Sequence, residues 1–193
     1  MIVALSRPRT AAARPLPLPA MTDDQERTYL EAALAGRGPY ELFACDPALA
    51  GTAAFCAAYG FALEDSANTI VVIGKSSPPV FAACVVLATH RLDVNRTVRE
   101  QLGTRKASFA PADETRSITG HEIGGVTVFG LPVHLRVLVD AAVMRRPRIV
   151  LGGGSRSWKV IATPSILLTL PNVAVIDGLA KPTLSRESSA DPT

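Results

Sequence analysis

The stretch Gly120 to Pro132, GHEIGGVTVFGLP, places the tightest limit on what this chain can fold into. It carries Gly120, Gly124, Gly125 and Gly130 and ends in a proline. Glycine weakens helix and strand alike, and proline lacks the donor that a sheet ladder needs. The run is therefore neither a regular helix nor a central strand. It is nevertheless mostly apolar and lies mid-chain, between segments with the character of a core. Two readings stay open. The backbone is folded so that peptide N–H groups approach a ligand closely, or the run is a buried crossover with no ligand.

The 193 residues suit one domain with a little left over, and 48% of them are hydrophobic, enough for a substantial core. No run of eighteen apolar residues is present, so no membrane span is expected. Cys45, Cys56 and Cys84 are odd in number and scattered without a CxxC pair, which fits reduced buried thiols and a cytoplasmic setting. His90, His121 and His134 lack metal-ligand spacing. His121-Glu122 begins like a zinc-protease motif, but Gly125 stands where the second histidine belongs. Neither a metal nor a cofactor is expected.

The net charge of +3 is uneven along the chain. Arg7, Arg9 and Arg14 lie in residues 1–21, which hold no acid, and the remainder balances 17 basic against 17 acidic residues. Residues 22–100 carry six basic and ten acidic groups, residues 101–193 eleven and seven. A polyanion would meet the C-terminal half first. Residues 1–21, rich in Pro, Ala and Arg, read as a disordered leader, and Met21 is placed to serve as an initiator. Residues 22–180 read as one domain, and residues 181–193 as a flexible tail.

Thr22 and Gln25 form a capping box for a helix to about Ala35. Tyr40 to Cys45 reads as a strand, and Asp46-Pro47 opens a second helix that Gly60 closes. Thr69 to Ile73 and Val80 to Ala88 are β-rich runs joined by GKSSPP, a hairpin. Val80 to Ala88 is apolar on both faces, as a central strand would be. Asp93 caps a helix ending at Gly103. Lys106 to Ala110 is a strand and Pro111 to Thr119 a short helix. Val137 to Val139, Arg148 to Leu151, Trp158 to Ala162 and Val173 to Ile176 complete the strands. Thr163 caps a short helix over Pro164 to Leu170. The order is α+β: a mixed sheet with flanking helices.

Three pieces could meet in one cleft: Asn68-Thr69, the glycine loop, and Gly152 to Arg156 (GGGSR) after the strand RIVL. The triple glycine is no P-loop, since the Gly-Lys-Ser/Thr ending is missing and a strand follows. It serves as a tight hairpin turn, or as a backbone nest with Arg156 beside it for a phosphate or carboxylate. Asp140 caps the following helix or lines the cleft. Arg145, Arg146 and Arg148 form a solvated turn or a phosphate contact. Cys84 reads as inert core.

In order, SANTIVV, RLDVNRTVREQLGTRKASFA, GHEIGGVTVFGLP, VLVD and IVLGGGSR resemble the YbaK/prolyl-tRNA synthetase-associated domain family over about Tyr40 to Leu179. The resemblance implies a mixed sheet curled towards a barrel, with helices around it. It implies an aminoacyl-tRNA deacylase that hydrolyses the ester of a mischarged tRNA in trans, with the aminoacylated tRNA 3′ end and an aminoacyl-tRNA synthetase as partners. The ester is already activated, so a held water, backbone donors and orientation can suffice. The resemblance places Asn68, Gly124 and Gly125 in catalytic positions. It places Thr52, Thr69, Val126, Thr127, Val128, Asp140, Gly153, Gly154, Ser155 and Arg156 around the substrate.

The sequence departs from the family pattern twice. Asn68 stands where active members carry a lysine, and Lys75, seven residues along, is about 23 Å away on an extended strand. Val128 stands where the family's Gly-x-x-x-Pro loop has its proline. An uncharged residue at position 68 leaves a second function class: a non-catalytic module that holds a charged tRNA 3′ end or an aminoacyl ligand.

Overall fold

Thr22 starts the first helix as expected. Its hydroxyl accepts from the Gln25 amide and its own amide donates to Gln25 Oε1, closing the capping box ahead of α1, Asp23–Leu34. The computed structural model describes residues 21–121 and 123–183. The leader over 1–20 and the tail from 184 lie outside the described residues.

Beyond α1 come β1 (Tyr40–Ala44), a 3-10 turn (Pro47–Leu49), α2 (Thr52–Tyr59), a 3-10 turn (Leu63–Asp65), β2 (Ala67–Gly74), β3 (Val80–Leu87) and β4 (His90–Leu92). A π-helical turn (Val94–Val98) leads into α3 (Arg99–Leu102), followed by β5 (Ala107–Phe109), α4 (Ala112–Thr119) and β6 (Arg136–Asp140). Then follow α5 (Ala141–Met144), β7 (Ile149–Gly152), β8 (Trp158–Ala162), a 3-10 helix (Pro164–Thr169), β9 (Val173–Ile176) and β10 (Ala180–Pro182).

The strands form a five-stranded sheet in the order β5-β2-β3-β6-β9, a three-stranded sheet β1-β8-β7, and the pair β10-β4. β3 runs antiparallel to β2 and parallel to β6, so the large sheet is mixed. The fold is α+β, as the sequence suggests. The strands do not close into a barrel; a parallel bridge between Ser66 and Val150 ties the two larger sheets together.

β3 is central because its residues are apolar on both faces. Val85 and Leu87 face a core shared with Leu30 and Leu34 of α1, Phe129, Ile149 and Val160. Cys84 and Val86 face a second core with Val98, Leu102 and Leu179. A third cluster, Phe43, Phe55, Phe61, Val150 and Ile161, packs α2 onto the three-stranded sheet. Phe55 and Phe61 stack at 5.0 Å, and Phe43 meets both edge-on.

Several local expectations give way to tertiary contacts. The helix opened by Asp46 stops after one 3-10 turn, and α2 restarts behind Gly51. Asp93 makes no cap; its carboxylate pairs with Lys181 Nζ at 2.8 Å, because β10 lies antiparallel to β4. Lys181 and Pro182 are thus strand residues, not the start of a frayed tail. Thr163 also makes no cap; its hydroxyl meets Ser165 Oγ. The three-residue strands β4 and β10 carry too little local signal to be read from sequence.

Candidate functional site

A cavity of about 240 Å³ opens where the start of α2, the first half of β2, the ends of β7 and β8, and the glycine loop converge. Thr52, Asn68, Thr69, Gly124 and Val126, all expected at the site, line it. The Thr52 hydroxyl donates to Asn68 Oδ1 at 2.7 Å. That bond uses the acceptor end of the carboxamide and leaves its NH2 as a donor at the cavity wall. Among the described residues the buried Thr69 hydroxyl has no hydrogen-bond partner. Lys75 is exposed in the β2–β3 turn, outside the cavity lining.

Other expected residues are put to structural use instead. Gly125 and Gly154 lie at a seam between the two glycine runs, where the Gly154 amide donates to the Gly125 carbonyl at 2.7 Å. A Cβ on Gly125 would fall 1.8 Å from the Ser155 carbonyl oxygen, so glycine here serves backbone-on-backbone packing. The Gly153 amide closes the β7–β8 hairpin on the Trp158 carbonyl, and Ser155 Oγ accepts from the Ser157 amide. Thr127 is fully buried, with Oγ1 accepting from the Phe129 amide, and Val128 belongs to the core beside Phe129. Arg156 straps the seam, its Nε donating to the Pro47 carbonyl at 3.0 Å and Nη1 reaching the Ile123 carbonyl.

Asp140 is a correction to the cleft-lining reading. Its Oδ1 caps α5 on the Ala142 amide, and its Oδ2 accepts from the Ala180 amide, both at 2.8 Å. A carboxylate buried with both oxygens engaged is a structural clasp, and it does not line the cavity. Two of the three clustered arginines make contacts within the chain, while Arg145 is exposed. Arg146 forks onto Asp65 Oδ1, and Arg148 lies over the Phe61 ring. Burial pushes the Cys84 thiol up to about 12, in keeping with an inert core residue.

Two titratable groups stand out: Lys159, which sequence reasoning did not single out, and His121, which it named only as the start of a zinc-protease motif that fails at Gly125. Lys159, on β8 between Gly152 and Phe43, is 5% exposed and lines the cavity. Its Nζ donates to the Ala50 carbonyl at 2.7 Å and lies 5.2 Å from the centre of the Phe55 ring. Burial lowers its pKa from the ordinary lysine value. The signal was present: within WKVIA the period of two puts Lys159 on the face of Ile161, which is buried. His121 lies beneath Gly154, edge-on to Tyr29, with both ring nitrogens unpartnered among the described residues, and burial depresses its pKa to about 4. Among the described residues, no group of His, Cys, Asp or Glu side chains is placed to hold a metal ion, and no helix is long and apolar enough to cross a membrane.

The fold has solved counterparts. A candidate trans-editing enzyme for prolyl tRNA synthetase superposes with a TM-score of 0.69 at 22% identity, over 82% of this chain and 98% of the other. A hypothetical protein gives 0.69 at 24% identity, over 77% and 97%. A scaffold used for grafting linear epitopes gives 0.66 at 21% identity, over 79% and 96%. These likenesses establish the fold. The aminoacyl-tRNA editing domain matches residues 46–170, a span that contains every cavity-lining residue, and the chain therefore belongs to the aminoacyl-tRNA editing domain family.

Proposed function

We propose that this protein is a cytoplasmic aminoacyl-tRNA deacylase that acts in trans on mischarged tRNA, with residues 22–180 as its single functional domain. The observation that carries the reading is the convergence of Thr52, Asn68, Thr69 and Gly124 on one cavity inside the span matched by the editing domain. The aminoacyl group enters that cavity. Asn68 Nδ2, oriented by the Thr52 hydroxyl, donates to the ester carbonyl, and a water held in the cavity attacks it. Water adds to the carbonyl carbon, the bond to the ribose oxygen breaks, and that oxygen leaves with the electron pair and takes a proton. The products are a free amino acid and an uncharged tRNA. Preorganised donors at the developing oxyanion are worth about 10²–10³ in rate each.

Trans-editing further implies an aminoacyl-tRNA synthetase as the source of the substrate and as a partner. The second reading, a module that binds the charged 3′ end without turnover, draws on the uncharged carboxamide at Asn68. A panel of mischarged tRNAs separates the two. The deacylase releases at least one amino acid faster than buffer does. Binding to charged tRNA with no release anywhere in the panel would establish the module instead.

A further inference from the structure

Lys159 is a buried cation without a counter-charge. Among the described residues no carboxylate lies within ion-pair distance of it, and no Asp or Glu lines the cavity. Arg156, a charged side chain that acts on it, has the same sign, and the thiols of Cys45 and Cys56 near it are buried. Of its three N–H donors the Ala50 carbonyl takes one, and the Phe55 ring offers the cation only its face. A neutral donor would serve the Ala50 carbonyl as well, so that bond does not account for the charge. An ammonium held at 5% exposure on those terms is costly unless a further group completes its shell.

The rest of the cavity lining does not supply that group. Ser66 Oγ is engaged with the Ala62 carbonyl and Cys56 Sγ, and Asn68 Oδ1 with the Thr52 hydroxyl. Thr69 Oγ1, unpartnered among the described residues, does not reach the ammonium. Phe55, Ile70, Val126, Val150 and Leu151 add apolar wall. This polar corner therefore sets a lysine with spare donors against about 240 Å³ of open space, room for an amino-acid side chain.

We propose that Lys159 is a specificity-determining residue, and that the aminoacyl group taken by this cavity carries a side-chain carboxylate, aspartyl or glutamyl. The carboxylate pairs with the Lys159 ammonium on β8, while the ester carbonyl stays at Asn68 on β2. A carboxylate brings the missing charge and accepts the spare N–H donors together, which neither a hydroxyl nor an apolar side chain does. The ester rests on the deacylase reading; the preference for a carboxylate rests on the charge balance of the cavity.

The test uses the full-length protein and pairs in which the carboxylate is replaced by its isosteric amide: aspartyl with asparaginyl, glutamyl with glutaminyl, and leucyl as the apolar control. Each is offered as an ester on the same tRNA, and as adenosine carrying the amino acid through a 3′-amide in place of the ester. The expected result is that, in at least one pair, the acidic adenosine amide binds about 10–100-fold more tightly than its partner, and the acidic ester is released faster by a similar factor. Lys159→Met abolishes that preference and brings the leucyl compound level with the acid, which loss of a structural contact alone would not do. Lys75→Met, in the exposed turn, keeps the preference. No binding of either acidic adenosine amide to the parent, or equal binding of acid and amide members in both pairs, would overturn the proposal whether or not Lys159→Met folds. A preference that survives Lys159→Met would overturn it as well. Release of esters with no preference for the acids would keep the deacylase and remove this assignment. Tighter binding of an acidic adenosine amide with every ester left intact would keep the assignment and remove the hydrolase.

Discussion

The glycine seam and the polar corner border one cavity at Gly124, Val126 and Gly152, yet they are built in opposite ways. At the seam, main chain fills the space. Gly125 and Gly154 share a hydrogen bond, and the Ser155 carbonyl occupies the position of a Gly125 side chain. At the corner, donors outnumber acceptors. Thr69 Oγ1 is unpartnered, Asn68 keeps its NH2, and Lys159 lacks an anion. A glycine-rich run inside a domain is thus no sign by itself of a ligand cradle, because backbone can approach backbone as closely as it approaches a substrate. Incomplete polar satisfaction beside open space is the more telling mark of a site; His121 under the seam is unpartnered among the described residues too, but it does not line the cavity.

The contrast can be broken first at the seam. Gly125→Ala puts a methyl into the Ser155 carbonyl and should cost about 3 kcal/mol, the upper end for overpacking. Urea denaturation reads this directly, and a loss under about 0.5 kcal/mol would show that the seam gives way. Under the same seam, His121 makes stability depend on pH. Its folded pKa of about 4 lies below the ordinary value of 6.5, so the unfolded chain takes up the proton first as pH falls. The neutral ring's contribution is complete above pH 6.5 and is lost between 6.5 and 4, by roughly 3 kcal/mol at 1.36 kcal/mol per unit. His121→Phe should flatten that part of the stability profile; an unchanged slope would assign it to other groups. At the corner a smaller effect is expected. Thr52→Val removes the donor to Asn68 Oδ1 and should cost about 1 kcal/mol of stability. It should lower deacylation more than that stability loss explains, because Asn68 is freed to rotate. Equal kinetics in the variant would separate Thr52 from the reaction.

The sequence made legible what is local or ordered. The capping box at Thr22, the two-faced apolar run of β3 and the motif order behind the family resemblance all read correctly, because each lies within a few consecutive residues or repeats a known series. Long-range facts did not read. Asp140 reads first as a cap for the next helix and second as a cleft carboxylate, and the return of Ala180 to its second oxygen decides for the structural role. Asp93 looks like a helix cap until Lys181 arrives from β10. Thr127 and Val128 resemble site residues by family position, but Phe129, fully buried beside them, draws that half of the loop into the core. Lys159 shares a face with buried Ile161 by the period of two, yet a lysine in a short apolar strand reads as a solvent-facing break in the pattern.

In the proposed deacylase, Asn68 works on substrate and contributes little to the fold. Asn68→Ala on the most sensitive mischarged tRNA tests it, with the rate and the urea midpoint measured on the same sample. Deacylation should fall by about 10²–10³, with stability lowered by only about 1 kcal/mol for the lost Thr52 bond. A variant that hydrolyses the ester at the parent rate would contradict it.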